Sequence, residues 1–388
     1  MYMLSGPKIN ILKFKICAIV VNFMIFSLAF VFLLQMARAD LTVGDLIKDV
    51  IHTADRGITP TNDLYVLDGE SGSYITGNGL FGRYMKWVCL SSSSPVSGAC
   101  ETGPTSNAAV PSVVQLEFTE LRSNVKATIN LHGSKQQYSS INGASCGGRM
   151  RMNWGTTFIC GAGPDAVKVF LFVPRTEIAK LPFGGIWQAT LKLKTGGYFE
   201  AYHGTWTVNI TLHVSDNNNI SVYFPQFDSA TPQVDLNLLS TPVPAWPGGE
   251  VRGQSTLDMC LYDGYNGYSQ RYQVTLTDDL PTDSRQPAAF RVFHQDRQVN
   301  QSDITRQISY YASLLYNGRN VQLENNKTVT LEGVNQADVR MVTLPNIPQP
   351  VYCTPTPLSL TTPAFNQISK ESGNYGGRLR VIFTPSLE

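Results

Sequence analysis

Apolar and polar residues alternate strictly over long stretches of this chain. Trp187, Ala189, Leu191 and Leu193 alternate with Gln188, Thr190, Lys192 and Lys194, and Trp206, Val208, Ile210, Leu212 and Val214 alternate with Thr205, Thr207, Asn209, Thr211 and His213. A period of two puts each set on its own face of an extended backbone, so both stretches predict long strands with one buried face. The same reading predicts strands over 167–173, 272–276, 329–331, 339–344 and 378–383. Clusters of Gly, Pro, Asn and Ser separate them, the spacing of a β-sandwich. Helical periodicity is scarce. Leu46, Ile47, Val50 and Ile51 fit an amphipathic helical turn, and 302–315 fits either a helix or, through Ile308, Tyr310, Ala312 and Leu314, a strand, the reading preferred here. In the last segment Leu379, Val381 and Phe383 alternate with Arg378, Arg380 and Ile382. A terminal strand of this kind raises the question of what pairs with its outer edge.

Asp216-Asn217-Asn218-Asn219 cannot continue a strand and marks either a hairpin turn or a link between domains. At 388 residues the chain exceeds the roughly 250 that one core holds, so two domains are expected. The first spans 40–217 and the second 220–388, joined by 218–219. Upstream, Lys8, Lys13 and Lys15 precede an apolar run over 16–34, followed by Ala37-Arg38-Ala39. That order predicts a signal peptide over 1–39 and export. An uncleaved membrane anchor is the alternative, because the run is long enough to span a bilayer.

A formal net charge of +1 and 15% charged residues give no electrostatic case for nucleic acid as a partner. Of seven cysteines, Cys17 lies in the signal segment, leaving Cys89, Cys100, Cys146, Cys160, Cys260 and Cys353 for an oxidising compartment to pair. Six cysteines allow fifteen connectivities. Nearest-neighbour pairing is the simplest: Cys89 with Cys100, Cys146 with Cys160, Cys260 with Cys353. No C-x-x-C or H-E-x-x-H spacing supports a zinc site instead.

Catalytic signals are weak. Gly143-Ala144-Ser145-Cys146-Gly147 has the letters of a hydrolase nucleophile elbow, but that motif needs a helix after the serine and no helical period follows. Asp263-Gly264-Tyr265-Asn266-Gly267 lacks the alternating oxygen ligands of a calcium loop and reads as a turn. Asp258, Asp278 and Asp279 are the raw material of a glycosidase pair, with nothing in the spacing to single out two of them. No cofactor or metal is expected, and no enzyme; a secreted β-sandwich carbohydrate-active enzyme stands as the alternative.

Longer stretches carry a resemblance. Leu181-Pro182-Phe183-Gly184-Gly185-Ile186-Trp187, Val234-Asp235-Leu236-Asn237-Leu238, Leu257-Asp258-Met259-Cys260-Leu261-Tyr262-Asp263-Gly264-Tyr265 and Val381-Ile382-Phe383-Thr384-Pro385-Ser386 resemble the tip minor pilins of class 5 chaperone–usher fimbriae, which include the CblD-like pilus biogenesis initiators. The resemblance spans nearly all of the chain after residue 39. It implies an all-β protein of two immunoglobulin-like sandwiches, an N-terminal adhesin domain and a C-terminal pilin domain that lacks one strand. Leu379, Val381 and Phe383 would line the resulting groove. The implied partners are a periplasmic chaperone and the N-terminal strand of a major pilin, which fill the groove in turn by strand addition, an outer-membrane usher, and a host-cell glycoconjugate or surface protein. Delivery to the fimbrial tip on the bacterial surface follows, with assembly initiation and adhesion as the roles; initiation without adhesion is a further alternative.

The resemblance also implies receptor contacts at Arg83 and Tyr198. An arginine pair of the family directly precedes the position of Tyr198, and here Gly196 and Gly197 stand there, so a different receptor specificity is expected. Tyr202 and Trp206 have rings that stack on sugars, although strand period assigns Trp206 to the core.

Overall fold

The computed structural model describes residues 44–71, 84–107, 109–139, 143–155, 165–197, 202–227, 231–278, 289–296 and 303–386. The expected signal segment, Arg83, Cys160, Tyr198 and Asp279 lie outside them. Among the described residues the chain is all-β, with short 3-10 turns as its helical elements.

In the first domain β1 (Leu46–Asp55), β2 (Leu64–Ser71), β3 (Lys86–Cys89), β4 (Ser112–Glu120), β5 (Lys126–Ser139), β6 (Ser145–Met150), β7 (Asp165–Val173), β8 (Gly185–Gly196) and β9 (Tyr202–Ser215) follow one another. They pair in the order β1-β9-β8-β4-β5-β7-β2, with β3 added to β8 and β6 to β5. The alternation in β8 and β9 sets their inward faces in register, Trp187 opposite Leu212, Leu191 opposite Val208 and Leu193 opposite Trp206. All six side chains are buried, and the rings of Trp87 on β3 and Trp206 meet edge-on at 5.4 Å.

The helical turn expected at 46–51 is a strand. β1 runs parallel to β9 from Leu46 opposite Trp206 to Asp55 opposite Ser215. Positions four apart share a face in either period, so Leu46 and Val50 fit both readings. Ile47 and Ile51 decide between them, because they point outward, 76% and 67% exposed, where a helix would set them beside the half-buried pair. β-Branched Val50, Ile51 and Thr53 favour the extended backbone, and the edge of β9 supplies its hydrogen-bond partners.

The second domain contains β10 (Ser221–Tyr223), β11 (Leu238–Val243), β12 (Trp246–Leu257), β13 (Cys260–Tyr262), β14 (Arg271–Thr277), β15 (Phe290–His294), β16 (Gln307–Tyr316), β17 (Arg319–Leu323), β18 (Thr328–Glu332), β19 (Arg340–Val342), β20 (Val351–Pro355), β21 (Leu358–Asn366), β22 (Tyr375–Gly376) and β23 (Arg380–Ser386). They form three sheets, β10-β13-β20-β19, β11-β12-β21-β16-β15-β22 with β17 on β16, and β18-β14-β23. The strand reading of 302–315 holds as β16. Asn217–Asn219 is a 3-10 turn joining β9 and β10, which lie in different sheets, and is therefore a link rather than a hairpin. Cys89–Cys100 and Cys260–Cys353 are disulfides as expected, and Cys146 is disulfide-bonded.

The two domains share apolar contact. Tyr262, Leu344, Ile347, Val351 and the Cys260–Cys353 bridge pack in one cluster with the first-domain core. Polar groups lock the joint. Arg122 Nη1 donates to the carbonyls of Asn266 and Gly267 at 3.0 and 3.1 Å, and its guanidinium lies 4.3 Å over the Tyr268 ring. The Tyr265 hydroxyl, its pKa pushed up chiefly by burial, is hydrogen-bonded to His213 Nδ1 at 2.7 Å. The turn expected at 263–267 is what holds this surface: Asp263 Oδ1 accepts from the backbone N–H of Tyr265 and of Gly267 at 2.9 Å.

Candidate functional site

Two places on the molecule are candidate sites, the half-covered side of the second core and the end of the first domain opposite the joint. Their chemistry differs, one being apolar backbone edge and the other polar surface.

β23 follows from the terminal alternation, shifted to begin at Arg380 and continue through Ser386. It pairs antiparallel with β14 from Thr277 opposite Arg380 to Arg271 opposite Ser386. Among the described residues no strand pairs with its outer edge. Pro385 sits in this strand, and a residue without an N–H is tolerated in a sheet on an edge strand. The side chains repeat the asymmetry. On β14 the inward Tyr272, Val274 and Leu276 are completely buried. Phe383 opposite Val274, Val381 opposite Leu276 and Leu379 just before β23 are only half-buried, although they pack against the same core. Phe224, Phe227, Val234 and Leu236 are also half-covered apolar groups against that core, the last two on the approach to β11. β11 in turn pairs only with β12 among the described strands. Among the described residues the second core is thus lined by fully buried side chains on β14 and by half-covered apolar side chains along β23 and on the approach to β11.

In the first domain, register brings together the residues that bound the expected receptor contacts. Lys86 stands opposite Gly196 on β8, and Gly196 opposite Tyr202 on β9. Arg83 and Tyr198 themselves lie outside the described residues. Lys86 is buried and donates from Nζ to the Gly197 carbonyl at 3.0 Å. Its amine and that of Lys194 lie 5.7 and 5.9 Å from the Tyr202 ring, and the Tyr202 hydroxyl donates to the Thr102 carbonyl at 3.4 Å. Below them Lys135 is completely buried. It donates to the carbonyls of Met85 and Trp154, both at 2.7 Å, fastening the approach to β3 to the turn after β6. Burial, aided by the charge of Lys86, pushes its pKa down to about 7. Sequence reasoning missed both lysines. The one available signal was a polar side chain at the inward position of β5, whose buried positions include Ile129, Leu131 and Lys135.

The catalytic candidates do not assemble. Asp258 is engaged by Arg340 at 2.8 Å, and Asp278 accepts from the Arg291 backbone N–H at 3.2 Å. Ser145 opens β6, a strand paired to β5, with no helix after it among the described residues. Among the described residues no group of His, Cys, Asp or Glu has the arrangement to hold a metal ion.

Residues 40–217 match the family model for the first domain of the CFA/I fimbrial protein CfaE, and residues 220–387 match the model for its second domain. The chain is 33% identical over 344 residues to the CFA/I fimbrial protein CfaE of Escherichia coli, covering 86% of this chain and 89% of that one. Among solved structures it is similar to CfaE, the adhesive subunit of the CFA/I fimbria of enterotoxigenic Escherichia coli, with a TM-score of 0.69 and 30% identity over 88% of this chain and 93% of that one. A chaperone–tip adhesin complex of CFA/I fimbriae biogenesis matches with a TM-score of 0.61 and 28% identity, over 88% of this chain and 96% of that one.

Proposed function

Because this chain belongs to the CfaE family of CFA/I fimbrial proteins, we propose that it is a tip adhesin of a chaperone–usher fimbria. It is displayed on the bacterial surface, accepts a strand into its second domain to start assembly, and contacts a host receptor through its first. The observation that carries the strand-accepting role is the contrast between β14, whose Tyr272, Val274 and Leu276 are completely buried, and the terminal segment, whose Leu379, Val381 and Phe383 are half-buried against the same core. An unpaired edge over exposed apolar surface is prone to aggregate in water. A donated strand removes both liabilities at once, its backbone pairing with β23 and its alternate side chains filling the gaps in the core.

The order of donors is the one that the family resemblance implies. A periplasmic chaperone covers the groove first, the outer-membrane usher receives the covered protein, and the N-terminal strand of a major pilin replaces the chaperone's strand. Adhesion falls to the first-domain pole bounded by Lys86, Gly196, Gly197 and Tyr202, with Arg83 and Tyr198 as receptor contacts. The Gly196-Gly197 pair offers no guanidinium for bidentate recognition of an acid, which supports a receptor other than the one an arginine pair would select.

Deleting the gene for this chain tests the reading. The expected result is loss of fimbriae and of host-cell binding together, with fimbriae but not binding restored by the variant Arg83→Ala, Tyr198→Ala. Normal fimbriae in the deletion strain would refute the initiating role, and normal adhesion in the deletion strain the adhesive one.

A further inference from the structure

In the first domain the second half of β5 is flanked on its two edges by β6 and β7. The outward face of these strands carries two cations laid over aromatic rings. Arg149 on β6 reaches across β5 to set its guanidinium 3.9 Å from the ring centroid of Phe170 on β7, and the Lys168 amine on β7 lies 5.0 Å from the ring centroid of Tyr138 on β5. Along β5, Gln136 falls between Tyr138 and the register partner of Phe170, and stands opposite Lys168. Gly69 on β2, at a φ of +80°, leaves room for both: a β-carbon there would come within 3.3 Å of the Phe170 ring and 3.7 Å of Lys168 Cδ. Arg149 is exposed and Lys168 half-buried, and among the described residues neither has an ion pair or a hydrogen bond. Asp68, opposite Phe170 on β2, is an exposed carboxylate beside this face and is likewise unpaired. The face sits at the receptor end of the domain, since Lys135, next to Gln136, is tied to the Met85 carbonyl, and Lys86 stands opposite Gly196.

We infer that this outward face of β6, β5 and β7 is a second contact surface for the receptor, binding acidic groups of a glycan, carboxylate or sulfate, on Arg149 and Lys168; the inference rests on the adhesive reading above. The charges select the ligand. Guanidinium and ammonium are donors only, so both call for ligand acceptors, and an anionic acceptor gains roughly twice what a neutral hydroxyl gains from the same donor. The rings supply preorganisation. A guanidinium lying over an aromatic face keeps its N–H donors in its own plane, free for a carboxylate or sulfate, and a side chain already held by a ring loses less entropy when the ligand arrives. The geometry also places the acid-binding groups away from Gly196-Gly197: the guanidinium absent from that turn is offered by β6 instead. Asp68 opposes the same ligand, because a like charge beside the site repels it, and this gives the inference a test of opposite sign.

The test uses bacteria carrying the intact fimbria, applied to an array of neutral, sialylated and sulfated oligosaccharides and to host cells. Wild type is expected to bind acidic glycans, the sialylated and sulfated arms telling carboxylate from sulfate, and to bind them less as salt is raised. The double variant Arg149→Met, Lys168→Met keeps an apolar stem over each ring and is expected to weaken that binding about tenfold or more, as loss of charged hydrogen-bond partners does. Asp68→Asn is expected to strengthen it about two- to fivefold, the worth of one exposed charge interaction. Lys192→Met, which removes an exposed lysine from β8 of the same domain, is expected to bind as wild type. Fimbrial display is measured alongside; should Arg149→Met lower it by uncovering Phe170, Lys168→Met and Asp68→Asn decide. Unchanged binding by the displayed double variant overturns the inference, as does wild-type binding confined to neutral glycans, or Asp68→Asn that binds acidic glycans no better than wild type. Wild type that binds neither glycans nor host cells overturns the adhesive reading with it, whereas host-cell binding without any acidic glycan overturns this contact surface alone.

Discussion

The ring of Phe383 meets that of Tyr272 edge-on, centroids 4.8 Å apart and planes at 80°. Tyr272 is fully buried on β14, while Phe383, across the pairing of β14 with β23, is half-buried. In the proposed strand-accepting groove Phe383 is a floor residue. Phe383→Ala is expected to cost about 3–5 kcal/mol in a strand-complemented protein, the loss of a completely buried phenylalanine, because the donated strand covers the part left open here. Ile382→Ala, on the outward face at 45% exposure, is expected to stay within about 0.5 kcal/mol. Equilibrium unfolding of the chaperone-bound chain checks both, and equal costs at the two positions would place the groove face wrongly.

The joint between the domains depends on a missing side chain. A β-carbon on Gly184 would lie 2.0 Å from the Gly264 carbonyl oxygen and 2.8 Å from that of Val214, both backbone atoms that cannot step aside. Gly184→Val is thus expected to part the domains and to free Arg122 and Tyr265 from their partners. Small-angle scattering should report a larger maximum dimension, and hydrogen exchange should rise over 262–268. An unchanged scattering profile would show that the joint has slack the packing does not reveal.

Lys135 gives the first domain a pH-dependent stability of definite sign. Its folded pKa, about 7, lies below the ordinary lysine value of 10.5, so between those values the unfolded chain binds the extra proton and stability rises with pH. Below about pH 7 the cost of charging the buried amine is fully felt. From pH 7 to 9 wild type is expected to gain stability relative to Lys135→Met, on the order of 1–3 kcal/mol. The comparison is of slopes, because the variant also strands the Met85 and Trp154 carbonyls. Parallel stability curves would refute the assignment.

The disulfides should differ in weight. Cys260–Cys353 closes a separation of 93 residues and Cys89–Cys100 one of 11. In the chain-entropy model, replacing the first pair by alanine costs about 4.5 kcal/mol and the second about 3 kcal/mol. The larger loss should also weaken the joint, because Cys260 and Cys353 pack in the cluster shared with the first domain. Thermal unfolding of the two double variants, with scattering for the first, measures this.

Strands were legible in the sequence where a period of two is carried by strongly apolar residues, as in β8, β9, β14, β16 and β23, whereas β4, one face of which is buried from Ser112 to Glu120, was not read from it. β1 misled because Leu46 and Val50 satisfy two periods and because its partner, the edge of β9, lies about 160 residues away in sequence. The groove residues were legible as an alternating face, but their half-burial was not, since periodicity tells which side faces the core and not how well that core is covered. The chemistry at the receptor pole was hidden for another reason. Lys86 and Lys135 are single lysines in strands, and only the fold brings Met85, Trp154 and Gly197 within reach of their amines.

The most direct test of the strand-accepting role is to supply the strand. A synthetic peptide of alternating apolar residues, taken from the N-terminal extension of the major pilin, is added to the chaperone-bound chain and its binding to residues 220–388 followed by hydrogen exchange. The expected result is that the peptide displaces the chaperone and that protection rises along 379–386, with the chain aggregating when neither partner is present. A chain that stays monomeric and equally protected along β23 without chaperone or peptide would contradict it.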